Sequence, residues 1–177
     1  EGGSINLLVG HAYHALKDNA RMDKHYKVAE QMFEDKWQVG WNIGTFHMDR
    51  SGDLGLSRRY LDLALEEAPE EPSVWYMLAK WNSKAANDKD EKHCLERVFE
   101  LGSQDVMVLN RLAALSLAAD DLTTATQALD ALLKIDHQNY SALCNFGLLY
   151  RRQDSLDRAM EAFSKAITGF FTTVNIV

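Results

Sequence analysis

The chain has 177 residues, two prolines, two cysteines and a formal net charge of −7. At roughly 100–200 residues per domain, that length fits one domain or one short repeat array, and it is enough to bury a core without disulfides. Cys94 and Cys144 form neither a disulfide framework nor a zinc-finger spacing, the acidic balance argues against a general basic face for nucleic acid, and no apolar run approaches the ~18 residues of a membrane helix.

The chain opens on an apolar stretch at residues 5–9, INLLV, too short for a signal-peptide core and without a basic flank. A first pair of amphipathic helices is predicted over residues 3–37. Counting from residue 3, Gly10, Tyr13, Tyr26 and Ala29 fall at positions 8, 11, 24 and 27, with one extra residue before Gln38. Four further units of 34 residues then begin at 38, 72, 106 and 140, leaving a tail at 174–177. In these four, position 4 reads Trp41, Trp75, Leu109 and Leu143. Position 7 reads Gly44, Leu78, Leu112 and Phe146, and position 8 reads Thr45, Ala79, Ala113 and Gly147. Position 24 reads Leu61, Leu95, Leu129 and Phe163, and position 27 reads Ala64, Val98, Leu132 and Ala166.

Inside each half-unit, apolar residues recur at i, i+3 and i+4, which is a helical period. Turn chemistry separates the halves at Ser51-Gly52-Asp53, Asn87-Asp88, Asp120-Asp121 and Asp154-Ser155. Pro72 opens its unit, where a helix tolerates the missing N–H. Paired helices are expected to approach most closely at positions 8 and 20. Ser57, Ala125 and Ala159 at position 20 suit a close crossing, whereas Met22 and Glu91 predict looser or locally shifted packing in the first and third units. Trp37, Trp41, Trp75 and Trp81 cluster where the first three units join, which predicts inter-repeat packing.

This 34-residue period, its helix–turn–helix unit and these residues resemble the tetratricopeptide repeat family. The fifth unit carries the fullest pattern, with Phe146-Gly147-Leu148-Leu149-Tyr150 followed by Ala159, Phe163 and Ala166. The second offers Gly52-Asp53 and Ala64-Leu65 before Pro69. The resemblance covers nearly the whole chain, as a single domain over 1–177. It implies an all-α, right-handed superhelical solenoid of five repeats, whose first helices line a concave groove for a protein or peptide partner.

The resemblance also implies groove positions, mainly 2, 5, 9, 12 and 13 of each first helix with 6 nearby. Six of the residues there are basic, namely Arg50, Lys80, Lys84, Arg111, Arg151 and Arg152, and one is acidic, Asp49. The groove is therefore expected near +5 and the remainder near −12. A basic groove favours an extended acidic peptide through charge-assisted hydrogen bonds. Arg50, Lys84, Arg151 and Arg152 also sit in last helical turns, where a cation complements the helix dipole without any ligand. Asn42, Tyr76, Asn110 and Cys144 share position 5, with Asn145 beside them, and asparagines there offer a peptide backbone both donor and acceptor. The candidate groove residues are thus Asn42, Tyr76, Lys80, Lys84, Asn110, Arg111, Asn145 and Arg151. Position 5 holds no lysine, which argues against the carboxylate clamp of some chaperone-binding relatives.

His11, His14 and Asp18 share a helix face, but three ligands on one helix need a second element to close a metal site. No nucleophile elbow and no phosphate-cradling glycine loop appears. No metal, cofactor or catalytic activity is expected, and Cys94 reads as a packing residue. Residues 170–177 form an apolar tail. Either the natural chain continues into a further helix, or the tail packs back or onto a second copy as a homodimer. Two other roles stay open: an assembly factor of a bacterial pilus or secretion complex, acting through its ends and convex face, and the helical arm of a larger enzyme.

Overall fold

A computed structural model describes the backbone of residues 1–174 and the side chains of residues 1–168. The described residues are all-α. In order they form α1 (Gly2–Ala15), α2 (Asn19–Met32), α3 (Lys36–Phe46) with a π-helical turn (His47–Ser51), α4 (Leu54–Glu67), α5 (Pro72–Lys84), α6 (Asp88–Glu100), α7 (Val106–Ala118), α8 (Leu122–Ile135), α9 (Tyr140–Arg152) and α10 (Leu156–Val174). Helices α5, α7 and α9 begin on the residues that open the third, fourth and fifth units, 72, 106 and 140. Pro72 stands in the first turn of α5.

The turns inside the units share one backbone device. Lys17, Gly52, Ala86, Asp120 and Asp154 all stand at position 15 and all have positive φ, between 54° and 72°. In four of the turns the next amide bonds back to the carbonyl at position 11: Asp18 to Tyr13, Asn87 to Asn82, Asp121 to Ser116 and Ser155 to Tyr150. This is the six-to-one bond that satisfies the orphan carbonyls of a helix end. The residue after the turn then caps the second helix. Asp18, Asp53 and Asp121 accept from the amides of Arg21, Leu56 and Thr124.

The second unit departs from this pattern and shifts the frame. A β-carbon added to Gly10 would meet the Tyr26 ring, and one added to Gly147 would meet the Phe163 ring at 2.5 Å. Both pairs are sixteen residues apart. The equivalent pair here is Gly44 and Leu61, seventeen apart. The π-helical turn between them takes up the additional residue, because its wider ring holds one more residue than an α turn. The extra residue expected before Gln38 is therefore located at His47–Ser51. Val39, Ile43 and Gly44, not the next residues along, take positions 3, 7 and 8. Position 8 then reads Gly10, Gly44, Ala79, Ala113 and Gly147, small in every unit.

Two compact units divide the chain, residues 1–87 and 88–177. The division falls inside the third repeat, with α5 closing the first unit and α6 opening the second. In the first unit, Leu7, Met22, Tyr26, Ala29, Val39, Ile43 and Tyr60 form a buried cluster. Trp41 donates to the Ser73 carbonyl and Trp81 to the Leu54 carbonyl, so these two indoles pack between repeats as expected. In the second unit, Leu109, Leu112, Leu129 and Leu132 are fully buried beside Ala113, Ala125 and Ala128. Burying each leucine contributes about 1.5–3 kcal/mol. Position 20 is buried in every repeat, including Met22 and Glu91. Met22 joins the core cluster, and Glu91 finds an ionic partner.

Candidate functional site

The candidate groove residues divide between the two units. Asn42, Tyr76, Lys80 and Lys84 belong to the first, on α3 and α5. Asn110, Arg111, Asn145 and Arg151 belong to the second, on α7 and α9.

On the first unit, Lys80 and Lys84 converge on one carboxylate. Their ammonium nitrogens lie 3.8 and 3.6 Å from the two oxygens of Asp49. All three side chains are more than a third exposed, so these contacts are weak. The π-helical turn presents Asp49 and Arg50 together, and Arg50 has no acidic partner among the described residues. Asn42 stands at position 6 once the frame is corrected, which takes it off the position-5 ladder. Its Nδ2 donates to the Gln38 carbonyl of its own helix at 2.7 Å.

On the second unit, Arg111 pairs with acids of its own chain. Its Nε and one terminal nitrogen each donate to a Glu91 oxygen at 2.7 Å. Asp88 lies 3.6 Å from the same guanidinium. The Glu91 hydrogen bonds, ahead of its charge, hold the guanidinium pKa above its ordinary value. Arg152 donates to the Leu117 carbonyl and to Asp120 at 3.2 Å. Arg151 is exposed and has no acidic partner among the described residues, and Cys144 is an exposed free thiol. Asp88, Glu91 and Asp120, from α6 and a turn, thus lower the +5 excess to about +2. Sequence reasoning missed these acids because it read only first helices. The signal was Glu91 itself, a charge at a position that four other repeats fill with uncharged side chains.

The first unit also holds a histidine network. His47 is fully buried. Its Nδ1 lies 2.9 Å from Ser51 Oγ, and its Nε2 lies 3.0 Å from the Tyr26 hydroxyl. That hydroxyl is also 2.7 Å from His11 Nδ1. Ser51 Oγ donates to the His47 carbonyl, so it must accept from His47 Nδ1–H. His47 Nε2 is then the acceptor for Tyr26 O–H, and the tyrosine oxygen accepts from His11 Nδ1–H. Each proton is used once, and both imidazoles are neutral. Burial first, and then the neighbouring His14, push both pKa values down to about 4. At His47 the neighbouring His11 lowers the pKa further, and Asp53 opposes the shift. His11 stacks on Phe46 with ring centroids 3.6 Å apart. Asp18 caps α2. The His11, His14 and Asp18 stripe is thus spent on packing and capping. Cys94 is buried on α6, the packing role its period predicts.

No helix among the described residues is long and apolar enough to cross a membrane. The apolar tail, with the homodimer expected from it, lies outside the residues whose side chains are described. A cleft of about 500 Å³ lies among α2, α3 and α4, with Lys27, Glu30, Gly40, Tyr60 and Glu66 in its lining.

Residues 140–168 match the family model described as tetratricopeptide repeat. These residues lie in the fifth unit, where the pattern is fullest. No curated protein matches the sequence. Among solved structures, the chain is similar to MamA protein at 17% identity, over 99% of this chain and 95% of that one, with a TM-score of 0.72. It is similar to YrrB, described as a TPR protein with an unusual peptide-binding site, at 18% identity over 93% and 84% of the two chains, with a TM-score of 0.69. A tetratricopeptide repeat protein from Parabacteroides merdae is similar at 13% identity over 96% and 67%, with a TM-score of 0.70. At these identities the likeness is one of fold, and that fold is the tetratricopeptide repeat.

Proposed function

We propose that this chain of tetratricopeptide-repeat fold is a non-catalytic scaffold that binds an extended acidic segment of a protein partner on its first-helix faces. The observation that carries the reading is the unequal use of the basic side chains. Arg111 and Arg152 are consumed internally. Arg50 and Arg151 are left without acidic partners among the described residues, and Lys80 and Lys84 share a single carboxylate. Free guanidinium groups bind carboxylates with two parallel hydrogen bonds. The lysines would exchange one weak intramolecular partner for a ligand carboxylate at little cost. The peptide-binding site for which YrrB is described supports a peptide as the ligand class.

A library of extended peptides, acidic against charge-matched neutral and basic sets, tests this by fluorescence anisotropy at two salt concentrations. Acidic peptides should bind preferentially, more weakly at high salt. Lys80→Glu with Lys84→Glu, or Arg151→Glu, should weaken binding about tenfold or more, with no change in thermal stability. Equal affinity for all three sets, or unchanged affinity in the variants, would reject the reading. Arg111 is unsuited to this test, because reversing it would strand Glu91.

A further inference from the structure

The first-helix face of the first unit carries one acid among its bases. Of the residues at groove positions, Asp49 alone is acidic, and it lies in the repeat whose first helix ends in a π-helical turn. That turn places its carboxylate between two ammonium groups of α5. Asp49 Oδ2 lies 3.8 Å from Lys80 Nζ, and Oδ1 lies 3.6 Å from Lys84 Nζ. Lys80 and Lys84 stand one helical turn apart, so a single carboxylate spans both. Neither distance is that of a hydrogen bond, which needs about 2.7–3.2 Å. The acid halves the charge of the lysine pair without being fastened to it.

The backbone beneath this carboxylate is held more firmly than the carboxylate itself. His47 opens the turn and is fully buried. Ser51, at the other end of the turn, donates to the His47 carbonyl at 3.1 Å and lies 2.9 Å from His47 Nδ1. Tyr26 ties the same imidazole to α2 at 3.0 Å. Asp49 sits between these anchors, with its side chain 36% exposed and no hydrogen bond from that side chain to another described residue. Glu91 shows the opposite arrangement. It is 4% exposed and holds Arg111 by two hydrogen bonds of 2.7 Å. Arg111 is therefore locked, whereas Lys80 and Lys84 are occupied by a group that can leave at little cost.

We infer that Asp49 is an internal competitor: its carboxylate occupies the place that a partner's carboxylate takes on Lys80 and Lys84. The inference rests on the proposed binding of an acidic segment and adds how that binding is restrained. Binding at this pair is an exchange of one acid for another, not an addition. The incoming carboxylate must displace Asp49 and then lie near a charge of its own sign, and that repulsion lowers its affinity. A purely structural acid would behave differently. It would relieve the repulsion between two lysines one turn apart, and its removal would lower the melting temperature while leaving ligand affinity alone.

Fluorescence anisotropy with a labelled oligoglutamate peptide tests the inference in a cycle of four proteins. They are the parent chain, Asp49→Asn, the double variant Lys80→Ala with Lys84→Ala, and all three substitutions together. Asp49→Asn keeps the shape of the side chain and removes its charge. It should bind the peptide about fivefold more tightly than the parent, the scale of two exposed ion pairs. The gain should vanish in the background that lacks both lysines, because Asp49 then competes for nothing. Unchanged or weaker binding by Asp49→Asn would overturn the inference. So would a gain that persists without the lysines, which would mark a general effect of net charge. If the lysine variant binds more weakly than the parent but Asp49→Asn brings no gain, the acidic-segment reading stands and the competitor alone falls. If neither the parent nor Asp49→Asn binds the peptide, both fall. Thermal melts of all four proteins confirm folding, and if Asp49→Asn melts early, Asp49→Ser takes its place with the same expected outcomes.

Discussion

Glu91 and Arg111 meet through two parallel hydrogen bonds of 2.7 Å, with the glutamate side chain only 4% exposed and the arginine 46%. The glutamate stands where the fourth and fifth repeats have Ala125 and Ala159. A carboxylate in that place is tolerable only because α7 brings a cation to it. Arg111→Leu should destabilise the second unit by about 3 kcal/mol, since it strands a buried charge. The double variant Glu91→Ala with Arg111→Leu should recover most of that loss, because alanine restores a close crossing. Chemical denaturation of the single and double variants measures the difference, and a double variant no better than Arg111→Leu would refute it.

The five positive-φ residues at position 15 make a matched pair of substitutions informative. Gly52 has open space around its absent β-carbon, so only the backbone conformation opposes a side chain there. Gly52→Ala should cost about 1 kcal/mol. Ala86 has φ 54° and already carries that strain. Ala86→Gly should therefore be neutral or stabilising by a few tenths of a kcal/mol, once the added freedom of the unfolded chain is offset. Thermal melts should show a lowered midpoint for Gly52→Ala and no lowering for Ala86→Gly.

The crossing of α9 and α10 depends on an absent methyl. A β-carbon on Gly147 would lie 2.5 Å from the Phe163 ring. Gly147→Ala should destabilise by about 1–3 kcal/mol through overpacking. Phe163→Leu in the same chain should return part of the loss by clearing the space. Urea midpoints of the parent and the two variants would show whether it does.

Acid should weaken the first unit before carboxylates are protonated. His11 and His47 ionise near pH 4 in the folded chain and near 6.5 when unfolded. Between those values the unfolded state binds more protons, so stability falls as pH drops from 6.5 to 4 and levels off below. His11→Phe should flatten this slope by about half. The ring would still stack on Phe46, and Tyr26 would still donate to His47. Denaturant midpoints at pH 7 and pH 5 should differ less in the variant than in the parent; an unchanged difference would remove His11 from the account.

The sequence carried the helix starts at 72, 106 and 140 because a proline, apolar spacing and turn residues coincide there. It carried the inter-repeat role of Trp41 and Trp81 because large apolar residues recur at the joints. The shift in the second repeat was half legible. A surplus residue was countable, but Gly44 and Thr45 are both small enough for position 8, so the count could not say where it went. The backbone settled that by widening at His47, whose side chain is buried in a hydrogen-bonded chain with Ser51 and Tyr26. The basic faces were legible as composition and misleading as availability. A side chain's partner lies on another helix, and the partners of Arg111 and Arg152 came from α6 and a turn that no reading of first helices includes.

The compact units part at Asn87 and Asp88, midway through the third repeat. What recurs along the sequence is a 34-residue hairpin, yet what compacts is a body that begins or ends on half of one. The copied length and the folded body are out of phase. A lineage that gained or lost one repeat would therefore not add or delete a ready-made module. It would redraw where one body stops, and each inherited seam would have to be matched again to whatever new neighbour it met.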